Sequence, residues 1–180
     1  LTARFAYSKD ADGGNVNDKA AGGVTGALAS GWDLTLEAGS DLTGVDGLTL
    51  YAGMSEIEQY QNAAAIDGDV SERTYGVKYA TGGFTVGYQV SDEETGETSI
   101  TDYDNTYYSV TFSVNDDLSI GYNHVTSDQS GGTVDAEATS YQAAYTMGGA
   151  TFRIAEVDID GRNYATGNVN GHVLSMGLAF

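Results

Sequence analysis

The sequence predicts an all-β protein of the membrane-spanning kind, an antiparallel up-and-down transmembrane β-barrel with about ten strands visible in the chain. Three observations carry that expectation. Apolar and polar residues alternate with period two in segment after segment. The polar parity is small and hydroxylated, with charges in mid-segment, as a water-lined surface allows. The connections alternate between tight turns and long polar loops.

The first segment, "TARFAYS", sets Ala3, Phe5 and Tyr7 against Thr2, Arg4, Ala6 and Ser8. "GWDLTLEAG" sets Trp32, Leu34, Leu36 and Ala38 against Asp33, Thr35 and Glu37, with an extension back toward Val24. "LTLYAGMS" places Leu48, Leu50, Ala52 and Met54 opposite Thr49, Tyr51, Gly53 and Ser55. "RTYGVKYA" and "FTVGYQV", joined by a short Gly-rich turn, read as a hairpin with Tyr75, Val77, Tyr79, Phe84, Val86 and Tyr88 on one face. Lys78 and Gln89 fall on the other.

"YYSVTFSV" and "LSIGYNHV" form the next hairpin around "NDD", with Tyr107 on the polar parity and Tyr108 on the apolar one. "SYQAAYTM" and "ATFRIAEV" turn on "GG", and Arg153 again lies on the polar parity. The final segment, "GHVLSMGLAF", puts Leu174, Met176, Leu178 and Phe180 on a single face. Tight turns fall at 81–83, 115–117 and 148–149, with a slightly longer one at 41–47. Long loops are expected at 10–23, 59–72, 91–104, 127–138 and 158–171.

Composition supports the reading and removes alternatives. Twenty-five glycines and 13 tyrosines suit β structure with close backbone contacts. Seven basic against 26 acidic residues give a net charge of −19, which excludes a nucleic-acid partner needing a basic footprint. The acids cluster, at 67–72 and 92–104, and are expected to mark loops. No run approaches the roughly 18 apolar residues of a membrane helix, and no secretory signal opens the chain. The absence of cysteine removes disulfides and thiolate metal sites. A chain opening on Leu1 in mid-strand suggests a processed or incomplete start. A soluble β-sandwich would also alternate, but it explains neither the mid-strand charges nor the one-sided loops.

In style the chain resembles the Gram-negative general diffusion porins, most closely the acidic alphaproteobacterial ones. The hairpins "YGVKYATGGFTVGYQV", "YYSVTFSVNDDLSIGYNHV" and "YQAAYTMGGATFRIAEV" and the terminal "GHVLSMGLAF" carry the resemblance. It implies a porin β-barrel domain over residues 1–180, located in the cell outer membrane and acting as a channel for passive diffusion of ions and small hydrophilic solutes. It also implies a homotrimer in contact with lipid bilayer and lipopolysaccharide. Met176, Leu178 and Phe180 would present the signal to the outer-membrane barrel assembly machinery. The family's barrels have sixteen strands, which at about 18 residues each would take on the order of 290 residues. The expectation is therefore the C-terminal part of a larger barrel, with N-terminal strands missing. The alternative is a non-transport surface barrel serving as adhesin, receptor or structural anchor.

The pore-lining candidates are Arg4, Asp33, Glu37, Tyr51, Lys78, Gln89, Tyr107 and Arg153, whose opposed charges would order water and filter solutes by charge. Acidic dominance predicts modest cation preference. His124 and His172 with Asp128 or Asp160 would be needed for a rim protease, but no arrangement of them stands out and no enzyme is expected. No cofactor is expected beyond Ca²⁺ bound weakly at acidic loops. "DADGG" (Asp10, Asp12) and "DIDG" (Asp158, Asp160) open like calcium loops yet continue to no distal Glu ligand.

Overall fold

The computed structural model describes residues 1–9, 28–59, 68–96 and 102–178. Ten antiparallel strands follow one another in a single sheet whose spatial order is the chain order. They are β1 (Thr2–Ser8), β2 (Leu28–Ala38), β3 (Leu48–Gln59), β4 (Val70–Thr81), β5 (Phe84–Glu94), β6 (Tyr103–Ser113), β7 (Leu118–Gln129), β8 (Ala136–Met147), β9 (Ala150–Asp160) and β10 (Asn168–Leu178). β1 pairs with β2 and β10 with β9, and no ladder joins β1 to β10 among the described residues.

The turns explain why the hairpins close so tightly at one end. Gly82 and Gly83 (φ 53° and 84°) and Gly148 and Gly149 (φ 54° and 90°) take the left-handed geometry of two-residue hairpin loops, which other residues resist. At the β6–β7 turn the Asn115 Oδ1 accepts from the backbone N–H groups of Asp117 and Leu118, at 2.9 Å each. The β2–β3 connection contains a short helix, α1 (Ser40–Thr43), which alternation gave no hint of.

The expected loops are shorter than the sequence reading made them. Strands β3 to β10 run into the acid-rich stretches, so that Glu72, Asp92, Glu93, Asp104, Asp128, Asp158 and Asp160 are strand residues. Where both faces of a strand carry polar groups, as at the ends of β4 and β5, alternation disappears although the backbone ladder continues; at the end of β9 it persists with the parity exchanged, Val157 and Ile159 alternating with Asp158 and Asp160.

The sheet is a single layer. Only Ile57 and Val70 are buried hydrophobics among the described residues. Phe5 and Leu174 stay 68% and 78% exposed, and Val86, Val110 and Ile154 are exposed as well. A water-soluble domain covers its apolar sheet face with a second layer; here that face is uncovered across ten strands.

Candidate functional site

Register sorts the side chains onto two faces. The pairings Thr2↔Glu37, Arg4↔Thr35 and Ala6↔Asp33 put Arg4, Asp33 and Glu37 on one side. Through Glu37↔Tyr51, Thr49↔Lys78, Gly76↔Gln89, Gln89↔Tyr107, and then Tyr107↔Val125, Val125↔Ala138 and Ala138↔Ile159, the same side holds Tyr51, Lys78, Gln89, Tyr107 and, on the Ile159 parity of β9, Arg153. All eight pore-lining candidates thus share the polar face. Met176 and Leu178 occupy the apolar face at the turn end of β10, opposite Phe152 and Ala150. Phe180, Asp10 and Asp12 lie outside the described residues.

The apolar face has a sloping border. Its last large apolar or aromatic residue toward the loop end is Tyr7 in β1, Trp32 in β2, Met54 in β3 and Tyr75 in β4. It is Val90 in β5, Tyr108 in β6, Tyr122 in β7, Tyr141 in β8, Ile154 in β9 and Leu174 in β10. Tyr7 pairs with Trp32 and Tyr122 with Tyr141, but Trp32 pairs with Glu56, Met54 with Arg73, Val90 with Thr106, Tyr108 with His124 and Tyr141 with Glu156. The border therefore slips by two residues at five of the nine strand steps. At about 3.3 Å per residue and about 4.8 Å per strand this is roughly 33 Å of descent over roughly 43 Å of width, a slope near 37°.

Three groups of polar-face residues come together. At the loop end, Asp33, Ser55, Glu72, Glu93 and Tyr103 form one cross-strand row. Ser55 Oγ donates to Glu72 Oε2 at 2.9 Å. Glu93 lies beyond Val90, the last apolar-face residue of its strand's apolar band. Burial and then the neighbouring Glu72 charge push its carboxyl above the ordinary carboxylate range.

Two rows toward the turns, Tyr51 lies flat across Gly76 and its hydroxyl donates to Gln89 Oε1 at 2.9 Å. A Cβ on Gly76 would sit inside the Tyr51 ring. Gly76→Val is therefore expected to eject the ring and cost about 1–3 kcal/mol. Gly171→Val, where a Cβ meets nothing within 4 Å, is expected to be near neutral; urea midpoints of the folded variants check the pair.

The third group folds over the sheet from the β9–β10 connection. Tyr164 shares a 2.8 Å hydrogen bond with Ser127 of β7 and its ring lies 5.4 Å from that of Tyr103 of β6. Asn163 and Tyr164 hold φ of 57° and 54°, a left-handed pair that is costly for an aromatic residue and persists only where contacts fix it.

The sequence reading missed Glu72, Glu93 and Tyr164. The two glutamates continue the polar parity of "RTYGVKYA" and "FTVGYQV", so extending the alternation past the apolar residues finds them. Tyr164 leaves no periodic trace. The expected opposition of charges across water also changes form. On this wall Asp33, Glu72 and Glu93 gather at the loop end of β2–β5 and Lys78 stands nearer the turns; Arg4 lies on β1 beside β2, diagonal to Asp33 and Glu37, while Arg153 lies far off on β9.

Asp158 and Asp160 belong to β9 and face the apolar side, level with Thr139 and Glu137, so "DIDG" is a strand end rather than a calcium loop. Among the described residues no group of three or more His, Asp or Glu is arranged to hold a metal ion. His124 bonds Thr139 and Thr126 and stacks on Tyr108 at 4.8 Å. No protein-family model matches the chain, and no curated protein matches it either.

Proposed function

We propose that the chain forms part of the wall of an outer-membrane porin, a water-filled barrel for passive diffusion of ions and small hydrophilic solutes. The observation that carries this reading is the slope of the apolar border. Strands of membrane barrels tilt by about 35–45° to the axis. When such strands cross a flat slab of hydrocarbon, the edge of the slab runs diagonally over the register, here at about 37°. A two-layer soluble sheet has no reason to keep so steady a drift.

The uncovered apolar face is then the lipid face, and the opposite face, hydrophilic over most of its width but carrying Val157, Ile159, Val169 and Val173 on β9 and β10, is the lumen. Within this reading the barrel has sixteen strands, with this chain supplying its C-terminal portion. Three copies assemble, with lipopolysaccharide against the acidic strand extensions. The lumen works by radius and field, with no bond made or broken. Cations are favoured because Asp33, Glu72 and Glu93 line its loop-side mouth.

Purified protein added to planar bilayers is expected to give stable, ohmic conductance steps. Silence in that assay, with the chain inserted, would favour a plugged surface barrel and overturn the channel.

A further inference from the structure

Below the acidic mouth, the polar face of β3–β8 encloses a groove of about 450 Å³, within the about 300–1,000 Å³ usual for small-molecule sites. Its chemistry departs from that of the chain. A protein with 26 acidic residues places no carboxylate among the described residues that line this groove. Lys78 is its one permanent charge. Most of its remaining polar lining is amide and hydroxyl, from Gln89, Asn123, Ser109 and Ser140 among others, beside the rings of Tyr51 and Tyr107; the His124 imidazole also borders it, with its ring nitrogens bonded to Thr139 and Thr126.

The parts are placed to be used together. Tyr51 occupies the Gln89 Oε1 and so orients that amide, leaving the Nε2 hydrogens to donate elsewhere. Gln89 pairs directly with Tyr107, which stays 38% exposed. One row on, Gly87, Ser109, Asn123 and Ser140 are consecutive cross-strand partners, with Gly87 giving depth between Lys78 and Ser109. An aromatic plane beside a bank of neutral donors and acceptors matches a ring that is apolar on its faces and hydroxylated at its rim.

Charge narrows the ligand further. Anions arriving from the loop side meet Asp33, Glu72 and Glu93 first, and cations that pass them meet Lys78 in the groove. What both fields leave undisturbed is a neutral solute.

We propose that this groove is a binding station for neutral saccharides on their way through the lumen. The proposal rests on the channel reading for its role in transport, but binding itself can be measured without a current. The full chain in bilayers, exposed to maltose, is expected to show concentration-dependent interruptions of current. Calorimetry in detergent is expected to show saturable maltose binding. Tyr107→Ala should weaken both by about three- to tenfold, while Tyr107→Phe should retain most of the effect.

Poly(ethylene glycol) of matched size and choline serve as probes. Interruption by either of them as strong as that by maltose would overturn the proposal, as would conductance with neither block nor calorimetric binding. Maltose binding without any conductance would uphold the site and overturn the channel.

Discussion

Val110→Arg is expected to keep the protein out of membranes, while Thr111→Arg, one residue further along the same strand, is expected to leave insertion almost untouched. Val110 lies between Tyr108 and Phe112 on the apolar face of β6, paired with Val86 and Tyr122. On the proposed reading, arginine there must be held in hydrocarbon, at about 2–4 kcal/mol near the midplane. Thr111 points the other way, between Thr85 and Gly121, where a guanidinium stays in water. Dilution from urea into lipid vesicles followed by protease reads the outcome as the protected fraction. Equal insertion of the two variants, or failure of both, would remove the assignment of faces and with it the membrane reading.

On the channel reading, the second large effect concerns the acidic mouth. Neutralising it with Asp33→Asn, Glu72→Gln and Glu93→Gln together should reduce the cation-to-anion permeability ratio by about threefold or more, because the removed charges share one row at the entrance. The same row makes selectivity depend on pH. Burial and Glu72 both disfavour the Glu93 anion, so its carboxyl takes up a proton at higher pH than an ordinary carboxylate. Selectivity should accordingly fall, as pH is lowered, at a higher pH in the native protein than in Glu93→Gln. Reversal potentials across a salt gradient measure both; identical pH profiles for the native protein and Glu93→Gln would refute the role given to Glu93.

Much of the fold was legible because alternation is a direct imprint of a two-faced sheet. "FTVGYQV" identifies β5 and tells which side Gln89 occupies without any three-dimensional knowledge. Where the physical contrast between the faces vanishes, so does the signal. Glu72 and Glu93 read as loop residues because their strands carry polar groups on both sides there. The Tyr51–Gly76–Gln89 arrangement was half legible: the parity placed Tyr51 and Gln89 on one face, but only register brings them to one row across Gly76. Tyr164 depends on a folded-back turn with two left-handed residues, a conformation that no local pattern of "GRNYATG" announces.

The strand extensions beyond the sloping border have a consequence for how the molecule would sit in a membrane over time. On the face that bears the apolar band they carry Glu56, Asp92, Glu94, Asp104, Glu156 and Asp160, with Arg73 held near Asp92 and Glu94 at 3.7 and 3.5 Å. At the opposite end three of the connections are turns of two to four residues, several of them glycines, and the β2–β3 connection with its short α1 spans nine. A barrel whose charged collar has crossed the hydrocarbon once would have to drag all those ionised groups back to leave or to invert. On the membrane reading, withdrawal would then be far slower than arrival, and such a barrel would keep one orientation because its ends are so unequal in the cost of solvation.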